Sequence, residues 1–329
     1  MRRLFRWILR GTLCVLALLS LYVAGSVLQV HLHERLDPTA AAPAGGRFTI
    51  VDGVSIHSRS HGREDAPALL LVPGTAAWGG AWFSLIPTLE RAGYRIIAVD
   101  LPPFGYSDKA VGTDFSRPVQ ARRLAAVLDA YKIADVVVVG HSYGGGPALE
   151  LALAQPQRVR KLVLVDAALG LGSHPDPESP VCRLLATTTP RHIVLSSTAT
   201  NPLWSKALLD RLVARREAVT DEIVRQYRVP SDLRGATDAL GAWGDHFLCD
   251  AEQGLSTNPA DISRLQPPLA LIWGERDTNT PLAQAQRLHG LLPHSSLRVI
   301  PGVGHIPHIE APASFERSLL DALQEPAAK

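Results

Sequence analysis

The chain predicts an α/β protein: a mostly parallel, doubly wound sheet with an inserted helical segment, preceded by an N-terminal apolar helix. Three observations predict it. Short runs of almost wholly apolar residues alternate with amphipathic stretches over most of the sequence. Strands apolar at every position belong in parallel sheets covered on both faces. The alternation lapses between Gly170 and Gln266, where helical patterns replace strands, and residues 11 to 30 carry no charge at all.

The uncharged stretch reads GTLCVLALLSLYVAGSVLQV. A helix of that length spans roughly 30 Å, the hydrocarbon thickness of a bilayer. Arg2, Arg3, Arg6 and Arg10 precede it, so the positive-inside rule predicts residues 1–35 as a membrane anchor. The N-terminus is then cytoplasmic and the remainder of the chain lies across the membrane. The alternative is a signal peptide cleaved near Ala24-Gly25-Ser26, with export of the mature chain. Residues 36–46 (LDPTAAAPAGG) read as a linker.

A core follows in two parts, 47–169 and 267–329. Residues 48–60 alternate in polarity around Asp52-Gly53, which predicts an antiparallel hairpin at one sheet edge. Strands are predicted at 68–72, 95–99, 135–139, 161–166, 269–273 and 296–300, and helices at 82–92, 118–131, 144–154, 282–292 and 311–323. The segment 170–266, with helical patterns at 203–213 and 217–227, is predicted as a helical cap inserted between two sheet strands. So long a structureless loop inside a compact domain would be unusual.

Composition excludes several classes of function. A net charge of +2 with 46% hydrophobic residues is globular rather than disordered. Four arginines lie within the first ten residues and more than account for the net charge of +2, which gives a nucleic-acid surface little support. The cysteines, Cys14, Cys182 and Cys249, form no Cys-x-x-Cys pair, and neither a metal nor a cofactor is expected.

The stretch Val139-Gly140-His141-Ser142-Tyr143-Gly144-Gly145-Gly146 carries the chemistry. A Gly-x-Ser-x-Gly pattern alone is weak, but here a buried strand leads in and a helix leads out, the setting a nucleophile elbow demands. A serine needs a general base that a third group orients. Later strand ends supply both: Asp277, after 269–273, and His305, after 296–300.

These residues resemble the α/β-hydrolase family, in the branch with a helical cap, from Phe48 to Leu323. The resemblance rests on Gly140–Gly144, on Asp100-Leu101-Pro102-Pro103-Phe104-Gly105-Tyr106-Ser107, on Gly274-Glu275-Arg276-Asp277 with Pro281, and on Gly302-Val303-Gly304-His305 with Glu310 and Pro312. It implies Ser142 as nucleophile, His305 as general base and acid, and Asp277 as the residue holding the imidazole. The backbone N–H groups of Thr75 and Tyr143 would form the oxyanion hole. Relatives usually carry His-Gly where this chain has Pro73-Gly74, which implies a reshaped loop there. The expected activity is hydrolysis of a carboxylic ester through an acyl-enzyme on Ser142. Alternatives are a carbon–carbon bond hydrolase or perhydrolase with the same triad, or a non-catalytic small-molecule binder. The expected partners are a small-molecule ester and the membrane, with no nucleic acid.

Other readings compete at single residues. Asp166 also ends a strand and is the alternative acid. His308 is expected to be a packing or surface residue, His141 to pack beside the elbow rather than act, and Asp100 and Ser107 to hold a turn. Trp78, Trp82, Trp204 and Trp243 are candidate pocket walls. Cys182 and Cys249, both in the cap, either form a disulfide, which an exported domain permits, or remain two buried thiols.

Overall fold

The computed structural model describes residues 2–109, 112–171, 176–250 and 254–325. Its centre is an eight-stranded sheet. The strands are β1 (Gly46–Val51), β2 (Val54–His61), β3 (Ala68–Val72), β4 (Arg95–Val99), β5 (Val136–His141), β6 (Val159–Val165), β7 (Leu269–Gly274) and β8 (Ser296–Ile300). Their spatial order is β1-β2-β4-β3-β5-β6-β7-β8. The expected hairpin β1–β2 is antiparallel and forms one edge, β2 meets β4 antiparallel, and every other pairing is parallel.

The apolar runs form strands here because both faces are covered. Val136 and Val138 of β5 join one core layer, with Leu124 and Leu128 of the helix Arg117–Ala130. Val137 and Val139 join the opposite layer, with Phe315 and Leu319 of the helix Pro312–Gln324. Side chains alternate along a strand, so an unbroken apolar run is what a doubly covered strand requires.

Between β6 and β7 the described residues form helices and no strand, chiefly Thr188–Ser197, Asp221–Arg228 and Ala236–Cys249. Cys182 and Cys249 are joined in a disulfide with Cα atoms 5.6 Å apart. The bridge ties the start of this cap to its longest helix.

The N-terminus departs from expectation in two ways. Among the described residues a single helix, Arg2–His33, is long and apolar enough to cross a bilayer, but its second half rests on the cap. Tyr22, Ser26 and Val30, spaced four apart on one face, point at it. The Tyr22 hydroxyl donates to Ser197 O at 2.6 Å and accepts from Trp204 Nε1 at 2.7 Å, while Asn201 Nδ2 donates to Ser26 Oγ at 3.0 Å. A span covering all of 11–30 would therefore set the cap contacts of Tyr22 and Ser26 below the membrane surface. Residues 36–46 are not a loose linker either. Arg234 N donates to Leu36 O at 2.9 Å, and Asp37 caps the turn Pro38–Ala41 by accepting from Thr39 N and Ala40 N.

Candidate active site

Strand β5 ends at His141, and the chain turns sharply through Ser142 into the helix Gly145–Ala154. Ser142 has φ +50°, a left-handed conformation that a side chain rarely adopts. The flanking glycines make this possible. A Cβ on Gly144 would stand 2.4 Å from Pro73 O, and one on Gly140 would stand 2.8 Å from the Ala148 Cβ. Strand and helix approach too closely for any larger residue.

The turn delivers the hydroxyl to a histidine. Ser142 Oγ donates to His305 Nε2 at 2.9 Å, and His305 Nδ1 donates to Asp277 Oδ2 at 2.8 Å. The carboxylate demands the proton on Nδ1, which leaves Nε2 as the acceptor a general base needs. Asp277 also accepts from Asn279 N at 2.8 Å, Thr280 N at 3.0 Å and the Thr280 hydroxyl at 2.5 Å. Burial alone would raise its pKa, but the hydrogen bond and charge of His305, with the bonds from Thr280, outweigh it and leave the carboxyl below its ordinary range.

Asp166, the rival acid, is fully buried at the end of β6 and accepts from Gly274 N at 2.8 Å. It makes no hydrogen bond to His305. Oxygen atoms of both acids and a nitrogen of His305 nevertheless lie within 4.8 Å of one another. Burial, and then the Asp277 charge, raise the Asp166 pKa well above its ordinary value.

The histidine loop is fastened to the cap. His305 N donates to Leu212 O at 2.7 Å. Glu310 accepts from Gly304 N at 2.8 Å with one oxygen, and from Ala214 N and Arg215 N at 3.0 and 2.8 Å with the other. His141 donates from Nε2 to His305 O at 2.9 Å and packs beside the elbow, as expected. Burial, then the neighbouring His305, drives its pKa down to about 3, so it is neutral. His308 packs against Trp82, with ring centroids 4.6 Å apart. Asp100 accepts from Gly79 N and Tyr106 N at 2.6 and 2.8 Å, holding its turn.

Above the serine lies a cavity of about 450 Å³. Ser142, His305, Thr75 and Thr280 line its floor, and Leu208, Leu209, Leu212, Leu240, Phe247 and Ile306 its walls. The loop after β3 passes directly against the nucleophile: a Cβ on Gly74 would meet the Ser142 Cβ at 2.9 Å. That passage brings Thr75 beside the serine, with Ala76 following at φ +54°. The Tyr143 side chain turns away from the cavity, and its hydroxyl donates to Phe115 O at 3.1 Å.

The four tryptophans are not among the cavity's lining residues. Trp82 is wholly buried in the core, Trp78 donates to Gln226 O at 3.0 Å, Trp243 stacks on Phe247, and Trp204 holds Tyr22 of the N-terminal helix. Trp78, Trp82 and Trp243 are buried between packed elements, while Trp204 stays partly exposed. Sequence reasoning also passed over Thr280, whose closeness to Asp277 in the chain was the available signal, and the tie from Glu310 to the cap, for which there was none.

Residues 67–187 match the α/β-hydrolase fold family. A 2-hydroxy-6-oxononadienedioate/2-hydroxy-6-oxononatrienedioate hydrolase of Burkholderia vietnamiensis is 31% identical over 78% of this chain and 87% of its own. A 2-hydroxymuconate semialdehyde hydrolase of a Pseudomonas species is 30% identical over 86% and 95%. Among solved structures, a bacterial membrane phospholipase A is 23% identical with a TM-score of 0.67, and the match covers 98% of both chains. The chain belongs to the α/β-hydrolase family, and it is a hydrolase.

Proposed function

We propose that Ser142 attacks an acyl carbonyl while His305 takes the hydroxyl proton and returns it to the leaving group, with Asp277 holding the imidazole. Water then attacks the acyl-enzyme, giving up its proton to His305, and Ser142 leaves with a proton as the acid is released. The N–H groups of Thr75 and Tyr143 stabilise the tetrahedral oxyanion, contributing a few kcal/mol each. We assign a carboxylic ester of an apolar acyl chain as the substrate. The observation that carries this is the leucine-rich cavity over Ser142, which suits a hydrocarbon chain, in a cap that also seats the apolar N-terminal helix.

A second reading is hydrolysis of a carbon–carbon bond in a hydroxy-oxo acid. The curated relatives, named as hydrolases of such acids, support it better than they support ester cleavage. Those matches leave 14–22% of this chain uncovered, whereas the membrane phospholipase matches it almost end to end. Labelling by a fluorophosphonate, lost in Ser142→Ala, tests the nucleophile. Turnover of fatty-acyl esters against 2-hydroxy-6-oxo-dienoates decides the bond: activity confined to the dienoates would overturn the ester assignment.

We further assign the N-terminus to the cytoplasm and the catalytic domain to the far side of the membrane. The four leading arginines and the cap disulfide support this. Cleavage at residues 24–26 would cut the helix where it grips the cap, which favours an uncleaved anchor. A reporter active only outside the cytoplasm, fused after Lys329, should be active; a silent one would reverse the topology.

A further inference from the structure

Arg228 closes the cap helix Asp221–Arg228 and lines the cavity that holds Ser142. It also lines a small cleft beside Val30 and Glu34, where the N-terminal helix meets the cap. Its Nε is buried without a hydrogen-bond partner, and among the described residues the guanidinium has neither an ion pair nor a hydrogen bond. Arg225, one turn earlier, is exposed and paired with Glu222 at 2.5 Å. No aspartate or glutamate lines the cavity, so Arg228 is the one permanently charged residue in its wall among the described residues. In the cleft, Glu34 accepts from Thr237 N at 2.9 Å with one oxygen, and neither Glu34 nor Asp232 makes an ion pair with Arg228.

A partly buried, uncompensated charge facing an apolar cavity is costly unless something supplies the opposite charge. We propose that Arg228 binds an anionic group of the substrate, a phosphate or a carboxylate, while the apolar portion fills the cavity beside Ser142. The guanidinium presents paired donors in a fork that fits either oxyanion. This assignment deepens the serine-hydrolase reading and rests on it. The substrate is then amphiphilic, with an anionic end toward the junction with the N-terminal helix and an apolar acyl part toward the nucleophile.

The test uses the full-length chain in neutral detergent and reads protection of Ser142 from fluorophosphonate labelling. Decyl phosphate, decanoate and decanol are compared at submicellar concentration. The anions should protect at concentrations roughly tenfold or more below decanol, the gain of a charge-assisted hydrogen bond. Arg228→Gln should abolish that advantage, Arg228→Lys should keep part of it, and Arg225→Gln should keep it all. If Arg228→Gln no longer labels because it misfolds, the reduced advantage in Arg228→Lys carries the same reading. Stronger protection by decyl phosphate points to a phosphate-bearing lipid, and stronger protection by decanoate to a free acid. Equal protection by all three compounds, or an advantage unchanged in both Arg228 variants, overturns the assignment. Failure of the wild type to label at all would instead sink the serine-hydrolase reading.

Discussion

His305 Nδ1 lies 2.8 Å from Asp277 Oδ2, while Asp166, an acid at the end of the adjacent strand, makes no hydrogen bond to that imidazole. The two acids differ in pKa as well as in place. The donors around Asp277 hold its pKa below the ordinary value, whereas burial raises that of Asp166. Asp277→Asn should lower kcat roughly 10³- to 10⁴-fold, because the amide no longer selects the reactive tautomer. Asp166→Asn, an isosteric change at an acid that makes no hydrogen bond to the imidazole, should cost less than about tenfold. Steady-state kinetics with folding checked by circular dichroism decide it; a reversed order would reassign the acid.

The glycines that flank the elbow tolerate no Cβ. Gly140→Ala and Gly144→Ala would push against backbone and buried atoms at 2.4 to 2.9 Å, and each should destabilise by about 3 kcal/mol or more. Gly290, within the helix Leu282–Leu291, has open space where a Cβ would go. Gly290→Ala should therefore stabilise by about 0.5–1 kcal/mol. Denaturant midpoints for the three variants provide the comparison.

Stability should fall on acidification from neutrality. His141 and His308 are buried with pKa values depressed mainly by burial, the first to about 3, so the folded state stays unprotonated where the unfolded state binds protons. Each histidine's contribution is present above the unfolded value near 6.5 and is lost as pH falls below it, at about 1.4 kcal/mol per pH unit. Asp166 runs the other way: its raised pKa means the folded state holds a proton that the unfolded state has shed, so stability is gained on acidification. Two histidines oppose one carboxyl, so stability should fall between pH 6.5 and pH 5. Asp166→Asn should remove the offset and steepen the slope. Urea titrations at the two pH values read both effects; a slope of opposite sign would show that the histidines are not buried neutral.

Reduction should loosen the cap and spare the nucleophile. The Cys182–Cys249 bridge closes 67 residues of chain, and in the chain-entropy model such a loop stabilises by about 4 kcal/mol. It joins cap helices and touches neither the sheet nor Ser142. After treatment with a reductant, proteolysis within the cap should quicken while a small fluorophosphonate still labels Ser142. Loss of labelling at the same rate as cap cleavage would show that the cap and the elbow unfold as one unit.

Much of the fold was legible because its signals are local. Fully apolar runs announced the parallel strands, Asp52-Gly53 the edge hairpin, and the order Ser142, Asp277, His305 the three strand ends that meet at the carboxyl edge of the sheet. Strand ends were the least legible part: β5 runs on to His141, since the ladder continues until Ser142 takes its left-handed turn. Helix ends shifted too; the expected helix 82–92 begins only at Ile86, after a separate turn at Gly79–Trp82.

The sequence by itself determined the class of sheet, the elbow and the set of candidate residues, because strand periodicity and turn chemistry are properties of neighbouring residues. Only the tertiary structure decided which acid meets His305, since Asp166 and Asp277 both end strands that lie side by side. It alone joined Cys182 to Cys249, seated Tyr22 and Ser26 on the cap, moved the tryptophans out of the cavity wall and left Arg228 unpaired within it. Each of these depends on how surfaces far apart in the chain pack together. That packing is set by the shape and charge of both faces at once, and no spacing along a single stretch encodes it.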